Sequence, residues 1–239
     1  MSDLSSAGGS GSSILRDDLR RGTKAYDLMA AIPLVVIYAL GAMGQFGQIA
    51  AMLARLDLAH PDFNLSIAIL SQLATFLFAI LIIGLLFART PPRSSAKGLT
   101  PRVMAILGTY MMVGLLLLPR RELSGAALAV STMFILGGMA FAVYALLYLG
   151  RSVSVMAEAR HLVTGGPYRL IRHPLYLGEG IASIGAVMQF FSPWALLLFA
   201  ALIACQLYRM HREEQVLAGS FPEYAAYKNA TWRVLPGLY

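Results

Sequence analysis

A polar loop between two apolar segments reads Thr164-Gly-Gly-Pro-Tyr-Arg-Leu-Ile-Arg-His-Pro-Leu-Tyr-Leu-Gly178. It holds two tyrosines, two arginines, one histidine and two prolines in fifteen residues, more donors and rings than a simple chain reversal needs. Gly165 and Gly166 let the backbone approach a ligand or adopt a positive φ. Pro174 suits the first turn of a helix, where free amides attract an anion. The stretch therefore predicts a ligand-binding loop at the start of a membrane helix.

The amino-acid composition indicates that the protein lies in a lipid bilayer rather than in water. Hydrophobic residues make up 58% of the chain and charged residues only 13%, whereas a soluble domain has about 25% charged residues. The mean hydropathy is +0.67. We therefore expect an integral membrane protein, and an all-α one, because helices satisfy their own backbone hydrogen bonds in lipid.

Five apolar stretches, one of them interrupted, predict about six membrane segments. They cover residues 26–53, 65–88, 103–118, 125–149 and 177–208. The last stretch is broken at Phe191-Ser-Pro-Trp194, where Ser192 can cap a helix that begins with Pro193. This break predicts a hairpin of two short helices followed by a polar tail from residue 209. In the fourth stretch, Gly137-Gly138 can allow close helix packing.

The basic residues predict the orientation. If the N-terminus is cytoplasmic, sixteen of the nineteen lysines and arginines fall on the cytoplasmic side, so the net charge of +7 reflects topology rather than a nucleic-acid partner. Both termini and the polar loop are then cytoplasmic. We predict a disordered basic tail over residues 1–25, a four-span region over 26–150, and a catalytic region over 151–239 with a terminal helical hairpin and a C-terminal cap.

A second polar segment, Arg209-Met-His-Arg-Glu-Glu214, follows the last apolar run. If the helix continues, Arg209 and Glu213 are four residues apart on one face. A carboxylate there can neighbour an ammonium or sulfonium cation, and an arginine can hold a substrate carboxylate. The alternative is an exposed ion pair that contributes under about 1 kcal/mol. For the loop itself, the alternative is an anchor of arginines and aromatic rings at headgroup depth.

The remaining candidates for a functional role are Glu179, Cys205 and the histidines. Glu179 can neutralise the start of its helix or face a cavity, and the sequence leaves both open. The single cysteine, Cys205, excludes a disulfide framework. Histidines at metal-ligand spacing and the CxxC and HExxH motifs are absent from the sequence, so we predict no metal site.

Two motifs resemble those of a known family. They are Gly166-Pro-Tyr-x-x-x-Arg-His-Pro-x-Tyr-x-Gly178 and Glu213-Glu-x-x-Leu217, followed by Phe221, Tyr224, Tyr227, Arg233 and Pro236. Together they resemble the isoprenylcysteine carboxyl methyltransferase family and the related phospholipid methyltransferases. That family binds S-adenosylmethionine in a cytosolic pocket, which the C-terminal tail caps and which opens laterally to the bilayer for a lipid-modified substrate.

The resemblance implies a set of site residues. The cofactor contacts it implies are Arg160, His161, Leu162, Val163, Tyr168, His173, Pro174, Leu175, Tyr176 and Glu213. It makes Arg209 the substrate-side residue, and Arg209 and Glu213 the catalytic pair. Arg160 stands where the family often has a histidine, and His161 is shifted by one residue, so contact there is expected from the backbone.

The resulting prediction is an S-adenosylmethionine-dependent methyltransferase that acts on a membrane-embedded or lipid-linked acceptor, as in isoprenylcysteine carboxyl O-methylation. One alternative is N-methylation of a phospholipid headgroup amine, with Glu213 or Glu214 as the base. Another is a non-catalytic membrane scaffold or transporter subunit that keeps the site for lipid binding.

Overall fold

The computed structural model describes residues 24–60 and 62–237, so most of the tail predicted over residues 1–25 lies outside the described residues. The α-helices of the described part are α1 Lys24–Leu53, α2 Phe63–Ala88, α3 Thr100–Tyr110, α4 Gly125–Leu149, α5 Pro174–Gln189, α6 Pro193–Ser220 and α7 Tyr224–Ala230. A 3-10 helix over Met111–Leu117 extends α3. The strands β1 Ser94–Ser95 and β2 Glu158–Ala159 form one short antiparallel pair.

The helices confirm an all-α polytopic membrane protein. Five of the described helical segments are long and apolar enough to cross a bilayer; they contain α1, α2, α3 with its 3-10 extension, α4 and α6. The sixth apolar segment is α5, whose 16 residues span about 24 Å and which forms a hairpin with α6. The sequence had not predicted the β1–β2 pair, which joins the two polar connectors on either side of α3 and α4.

The break before α6 lies where the sequence predicts it, but α6 is longer than expected. The side-chain oxygen of Ser192 accepts a hydrogen bond from the amide of Ala195 at 3.2 Å, and Pro193 is the first helical residue. The prediction of two short helices is wrong for the second, because α6 has 28 residues and reaches Ser220. Residues 209–218 are mostly good helix formers, so the polar segment continues the helix instead of ending it.

Helices α4 and α5 touch backbone to backbone. A Cβ atom at Gly138 would lie 2.3 Å from the nitrogen of Ala182, and one at Gly178 would lie 2.7 Å from the nitrogen of Ala142. A Cβ atom at Gly137 would meet nothing within 4 Å. Of the two glycines predicted to allow close packing, Gly138 does so, and it holds the middle of α5 against α4.

A buried ion-pair network joins the N-terminal helices to the site loop. The carboxylate of Asp27 accepts hydrogen bonds from Arg89 Nε and Arg160 Nη2, both at 2.8 Å. The start of α1, the end of α2 and the segment around Arg160 therefore share one side of the bundle, which we call the loop face. On the opposite face the amide of Arg121 donates to the carbonyl of Gln189 at 2.8 Å.

Candidate functional site

A cavity at the loop face lies between the polar loop, the start of α5 and the middle of α6, and α7 covers it. Its volume is about 120 Å³. All but one of the predicted site residues line it, namely Arg160, His161, Leu162, Val163, Tyr168, His173, Leu175, Tyr176, Arg209 and Glu213. Pro174 is the exception: it is fully buried in the first turn of α5, behind the cavity wall. The two polar segments that the sequence singled out thus face one another.

The loop owes its shape to a glycine at a position where other residues are strained. Gly166 has a φ of +56°, and a Cβ atom there would lie 2.5 Å from the ring of Tyr148. The 3-10 turn Gly166–Arg169 follows and buries Tyr168, whose carbonyl accepts a hydrogen bond from Tyr227 Oη at 2.8 Å. Burial, supported by the nearby Glu214, raises the pKa of Tyr227 to about 12, so this hydroxyl keeps its proton.

Glu213 connects α6 to the cavity wall. Its carboxylate accepts a hydrogen bond from Tyr176 Oη, and it lies 3.9 Å from His173 Nδ1. Tyr176 and His173 stand in and next to the first turn of α5, so the predicted pocket-closing residue does meet the predicted loop residues. The side chain of Glu213 is 21% exposed, which leaves it accessible from the cavity.

Glu214 has a different role from its neighbour, and the sequence analysis missed it. Its carboxylate lies 3.0 Å from Arg172 Nε, 3.2 Å from His173 Nε2 and 3.2 Å from Arg233 Nε. Arg172 also donates to the carbonyl of Lys228 at 2.9 Å. Glu214 therefore fastens α6, the loop and the C-terminal segment together. The recurrence of arginines in both motifs was the only sequence signal for this cluster.

Arg160 lines the cavity, but its guanidinium group is engaged elsewhere. It pairs with Asp27 at 2.8 Å and with Glu158 at 2.6 Å, and its side chain is fully buried. Burial alone lowers the pKa of Arg160, but hydrogen bonding and charge pairing with the two carboxylates outweigh it and raise the pKa. The side chain is thus a fixed cation of the scaffold, and the parts left for a ligand are its Nε, which is buried without a hydrogen-bond partner among the described residues, and the backbone of this residue.

Arg209 is buried, so the alternative of an exposed ion pair does not describe it. Its side chain is 8% exposed, its Nη2 donates to the carbonyl of Val155 at 3.0 Å, and its guanidinium carbon lies 5.0 Å from the ring centre of Tyr176. Within residues 24–60 and 62–237, Arg209 Nε and Tyr224 Oη are buried without a hydrogen-bond partner. Since both residues line the cavity, these donors are available to a ligand.

Helices outside the recognised motifs complete the cavity. Tyr38 of α1 and Thr109 of α3 line it together with Glu179 of α5. The alternatives for Glu179 are thereby decided: it faces a cavity, and Gln206 Nε2 donates to its carboxylate at 3.3 Å. Sequence reasoning missed Tyr38 and Thr109, because nothing distinguishes them from other residues of apolar spans.

Fold and site together define a polytopic helical membrane protein with a polar ligand pocket at one face, built mainly from its last two membrane helices and the loop before them. Residues 129–219 match the sequence model of the isoprenylcysteine carboxyl methyltransferase (ICMT) family. This match confirms the resemblance that the motifs indicated. The matched segment covers α5, almost all of α6 and most of α4.

Two curated proteins are similar to about a third of the chain. The cobalt-zinc-cadmium resistance protein CzcN of Cupriavidus metallidurans is 41% identical over 80 residues, which cover 32% of this chain and 36% of that protein. The nickel-cobalt-cadmium resistance protein NccN of Alcaligenes xylosoxydans xylosoxydans is 36% identical over 84 residues, which cover 34% of this chain and 38% of that protein. The similarity thus spans little more than a third of either relative.

Proposed function

We propose that this protein transfers a methyl group from S-adenosylmethionine to an acceptor that partitions into the membrane. The observation that carries the proposal is the shared cavity: the loop 164–178 and the α6 segment 209–214 line it from opposite sides. A polar cavity at the end of a helix bundle can take a water-soluble cofactor from the cytosol. The apolar outer surface of the same helices keeps an amphiphilic acceptor at the same depth.

The residues around the cavity fit this cofactor. S-Adenosylmethionine supplies a methyl group on a positively charged sulfur. A carboxylate, Glu213, and the aromatic rings of Tyr168 and Tyr176 are the groups that attract such a cation and pack on a purine. His173 would add a donor, and residues 160–163 would contribute backbone groups.

Arg209 is suited to orient the acceptor. It is buried, charged and held in place by Val155 and Tyr176, and it keeps one free donor. A carboxylate acceptor, as in isoprenylcysteine carboxyl methylation, is already ionised near pH 7, so it needs orientation but no base. An amine acceptor needs a base, and Glu213 is the better placed of the two glutamates because Glu214 is surrounded by Arg172, His173 and Arg233. Positioning supplies most of the rate in either case.

The first experiment measures cofactor binding and the chemistry of the product. Calorimetry on purified protein should detect S-adenosylhomocysteine, and membranes incubated with methyl-labelled cofactor should gain label. Base-labile label indicates a methyl ester, and base-stable label indicates N-methylation of a headgroup amine. Absence of cofactor binding by the folded protein would contradict the proposal and favour a scaffold or transporter subunit.

Three variants assign the roles. We expect Glu213→Ala and His173→Ala to abolish cofactor binding while the protein stays folded, because they remove the carboxylate and the donor at the cavity wall. Arg209→Ala should bind the cofactor and lose turnover. Glu223→Ala is the matched control, since this glutamate is exposed and lies outside the cavity lining. Normal turnover by the Arg209 variant would overturn its assignment to the acceptor.

A further inference from the structure

A second cavity, of about 430 Å³, lies inside the membrane part of the bundle. Sites for small molecules measure roughly 300–1,000 Å³, so this cavity is large enough to hold one. Its wall is polar for a space surrounded by membrane helices. Uncharged amides and hydroxyls contribute much of the lining, among them Gln48, Asn64, Ser71, Gln72, Thr75 and Gln206. Polar side chains at this depth pair with one another or face a cavity, and these do both: Gln72 donates to Gln48 at 2.9 Å, and Gln206 donates to Glu179 at 3.3 Å.

This inner cavity extends from the opposite face of the bundle to the wall of the cavity at the loop face. At its outer end, Asn64 lies in the first turn of α2, and Arg120 donates to the side chain of Gln189, the last residue of α5, at 2.6 Å. At its inner end it shares Tyr38, Thr109 and Glu179 with the cavity at the loop face. Along α5, Glu179 and Gln189 are ten residues, or about 15 Å, apart.

The charges of the wall decide what can pass along it. Glu179 is the one carboxylate and Arg120 the one cation among the lining residues, all of which belong to the described part of the chain. Arg120 stands at the exposed outer end, where water screens its charge. Glu179 stands at the junction inside the bundle, where screening is weak. Within the inner cavity an anionic group therefore meets a like charge at Glu179, and a cationic or neutral hydrogen-bonding group does not; the cation of Arg209 lies beyond Glu179, in the lining of the cavity at the loop face.

We propose that the inner cavity is the acceptor-binding chamber: it takes the polar part of the acceptor, neutral or cationic and rich in hydrogen-bonding groups, from the face opposite the cofactor pocket, and guides it past Glu179. This inference rests on the proposed methyl transfer. It names the acceptor class as an amphiphile that presents a hydroxyl or amine nucleophile. A long apolar chain ending in a carboxylate does not fit this wall.

The chain suits a cysteine-accessibility test, because Cys205 is its single cysteine and lies outside both cavity linings. In a Cys205→Ala background, Ser71→Cys places a thiol on the chamber wall. Leu70→Cys is the matched control, since Leu70 is the preceding residue of α2, at the same depth, and is 54% exposed on the outer surface of the bundle. The probes are membrane-impermeant methanethiosulfonates, one carrying a trimethylammonium group and the other a sulfonate. They are added to one side of sealed proteoliposomes.

We expect Ser71→Cys to react at least tenfold faster than Leu70→Cys, because a thiol needs water to ionise. Reaction should come from the side on which Asp57→Cys reacts and not from the side of Arg169→Cys, which mark the opposite face and the loop face. The cationic reagent should react several-fold faster than the anionic one, and Glu179→Gln should remove that preference. Equal reaction rates at positions 70 and 71, or reaction only from the side on which Arg169→Cys reacts, would contradict the proposed acceptor-binding chamber.

A second arm separates this inference from the proposed function. Labelling of Ser71→Cys should block methyl transfer to acceptors in membrane extracts, relative to the same variant before labelling. Binding of S-adenosylhomocysteine, measured by calorimetry, should stay within twofold. Methyl transfer that continues after full labelling would contradict the proposal that the inner cavity binds the acceptor, but it would not contradict the proposed methyltransferase activity. Loss of cofactor binding in the unlabelled parent protein contradicts the proposed function, whereas the accessibility result still decides the route.

Discussion

At the scale of single residues, the adjacent glutamates Glu213 and Glu214 show how one step along a helix changes a role. Glu213 meets a tyrosine hydroxyl and the cavity, and Glu214 lies among the four basic side chains of Arg172, His173, Lys228 and Arg233. Successive helical residues point about 100° apart, so the pair faces two different neighbours. The motif marked Glu213 as a pocket residue, and its side chain lines the cavity at the loop face, while its role there stays a prediction. Sequence reasoning could not assign Glu214 its partners, because Arg172 and Arg233 come from distant parts of the chain.

The first prediction concerns the ion pairs by which Glu214 joins α6 to Arg172 and Arg233. Glu214→Gln keeps the size of the side chain and removes the charge that holds Arg172 and Arg233. We expect the segment 221–237 to be cleaved by protease at least several-fold faster, and the affinity for S-adenosylhomocysteine to fall about tenfold, equivalent to about 1.4 kcal/mol. The measurements are limited proteolysis in detergent and calorimetry. Glu223→Gln, on the exposed side of the same segment, is the control and should change neither the cleavage rate nor the affinity. Equal cleavage rates for the two variants would show that Glu214 does not hold the segment 221–237 in place.

At the scale of elements, hydrophobic runs and cap residues predicted the helices well. The bounds of α4 and the break before α6 follow from local sequence, because apolar length and a Ser-Pro start are local signals. The length of α6 and the β1–β2 pair were not predictable in this way. The first depends on polar residues continuing a helix against the loop, and the second on a pairing between connectors that are 63 residues apart at Ser95 and Glu158.

The second prediction concerns the contact between α4 and α5. Gly138→Ala forces a methyl group against the backbone of Ala182, and overpacking of this kind destabilises a protein by about 1–3 kcal/mol. We expect a lower melting temperature in detergent, followed by tryptophan fluorescence. Gly137→Ala is the matched control: it adds its methyl group in open space and should be neutral or slightly stabilising, since alanine favours a helix over glycine. Equal melting temperatures for the two variants would contradict the close contact.

At the scale of the whole molecule, the N-terminal helices and the region that holds the two motifs form one structure through Asp27, Arg89 and Arg160. The sequence analysis divided the chain at residue 150, and that boundary stays a prediction. No local pattern could reveal this network, since its three members come from α1, the end of α2 and the loop before the motif. The N-terminal helices also supply Tyr38 and Thr109 to the cavity, so they take part in the site as well as in the scaffold.

The third prediction tests that network. Asp27→Asn leaves two buried arginines without their shared charge partner, and breaking a buried pair in this way costs about 3–5 kcal/mol. The melting temperature should fall clearly, and the protein should be recovered in lower amounts. Asp57→Asn, whose side chain is 62% exposed, removes a surface charge and should have little effect. A wild-type melting temperature for Asp27→Asn would mean that the network does not join the two regions.

The fourth prediction concerns the opening of the cavity at the loop face, which is the proposed cofactor site. Its volume of about 120 Å³ is below the roughly 300–1,000 Å³ of pockets that enclose a small molecule, so its walls must separate to admit one. We expect hydrogen exchange to be fast in residues 221–235 of the free protein and to slow several-fold with S-adenosylhomocysteine. Exchange in α4 should stay the same in both conditions. Hydrogen exchange that slows evenly over the whole chain would contradict an opening movement confined to residues 221–235.

The glycine contact between α4 and α5 has a consequence for how the protein can move. Two helices whose backbones are in contact have no room to shift against each other, so they can move only together, as one rigid body. Under the proposed methyl transfer, an opening that admits the cofactor or releases the product must then involve the distal half of α6 and the short helix that follows. Spin labels attached to the outer surfaces of α4 and α5 should report one unchanging separation throughout the working cycle.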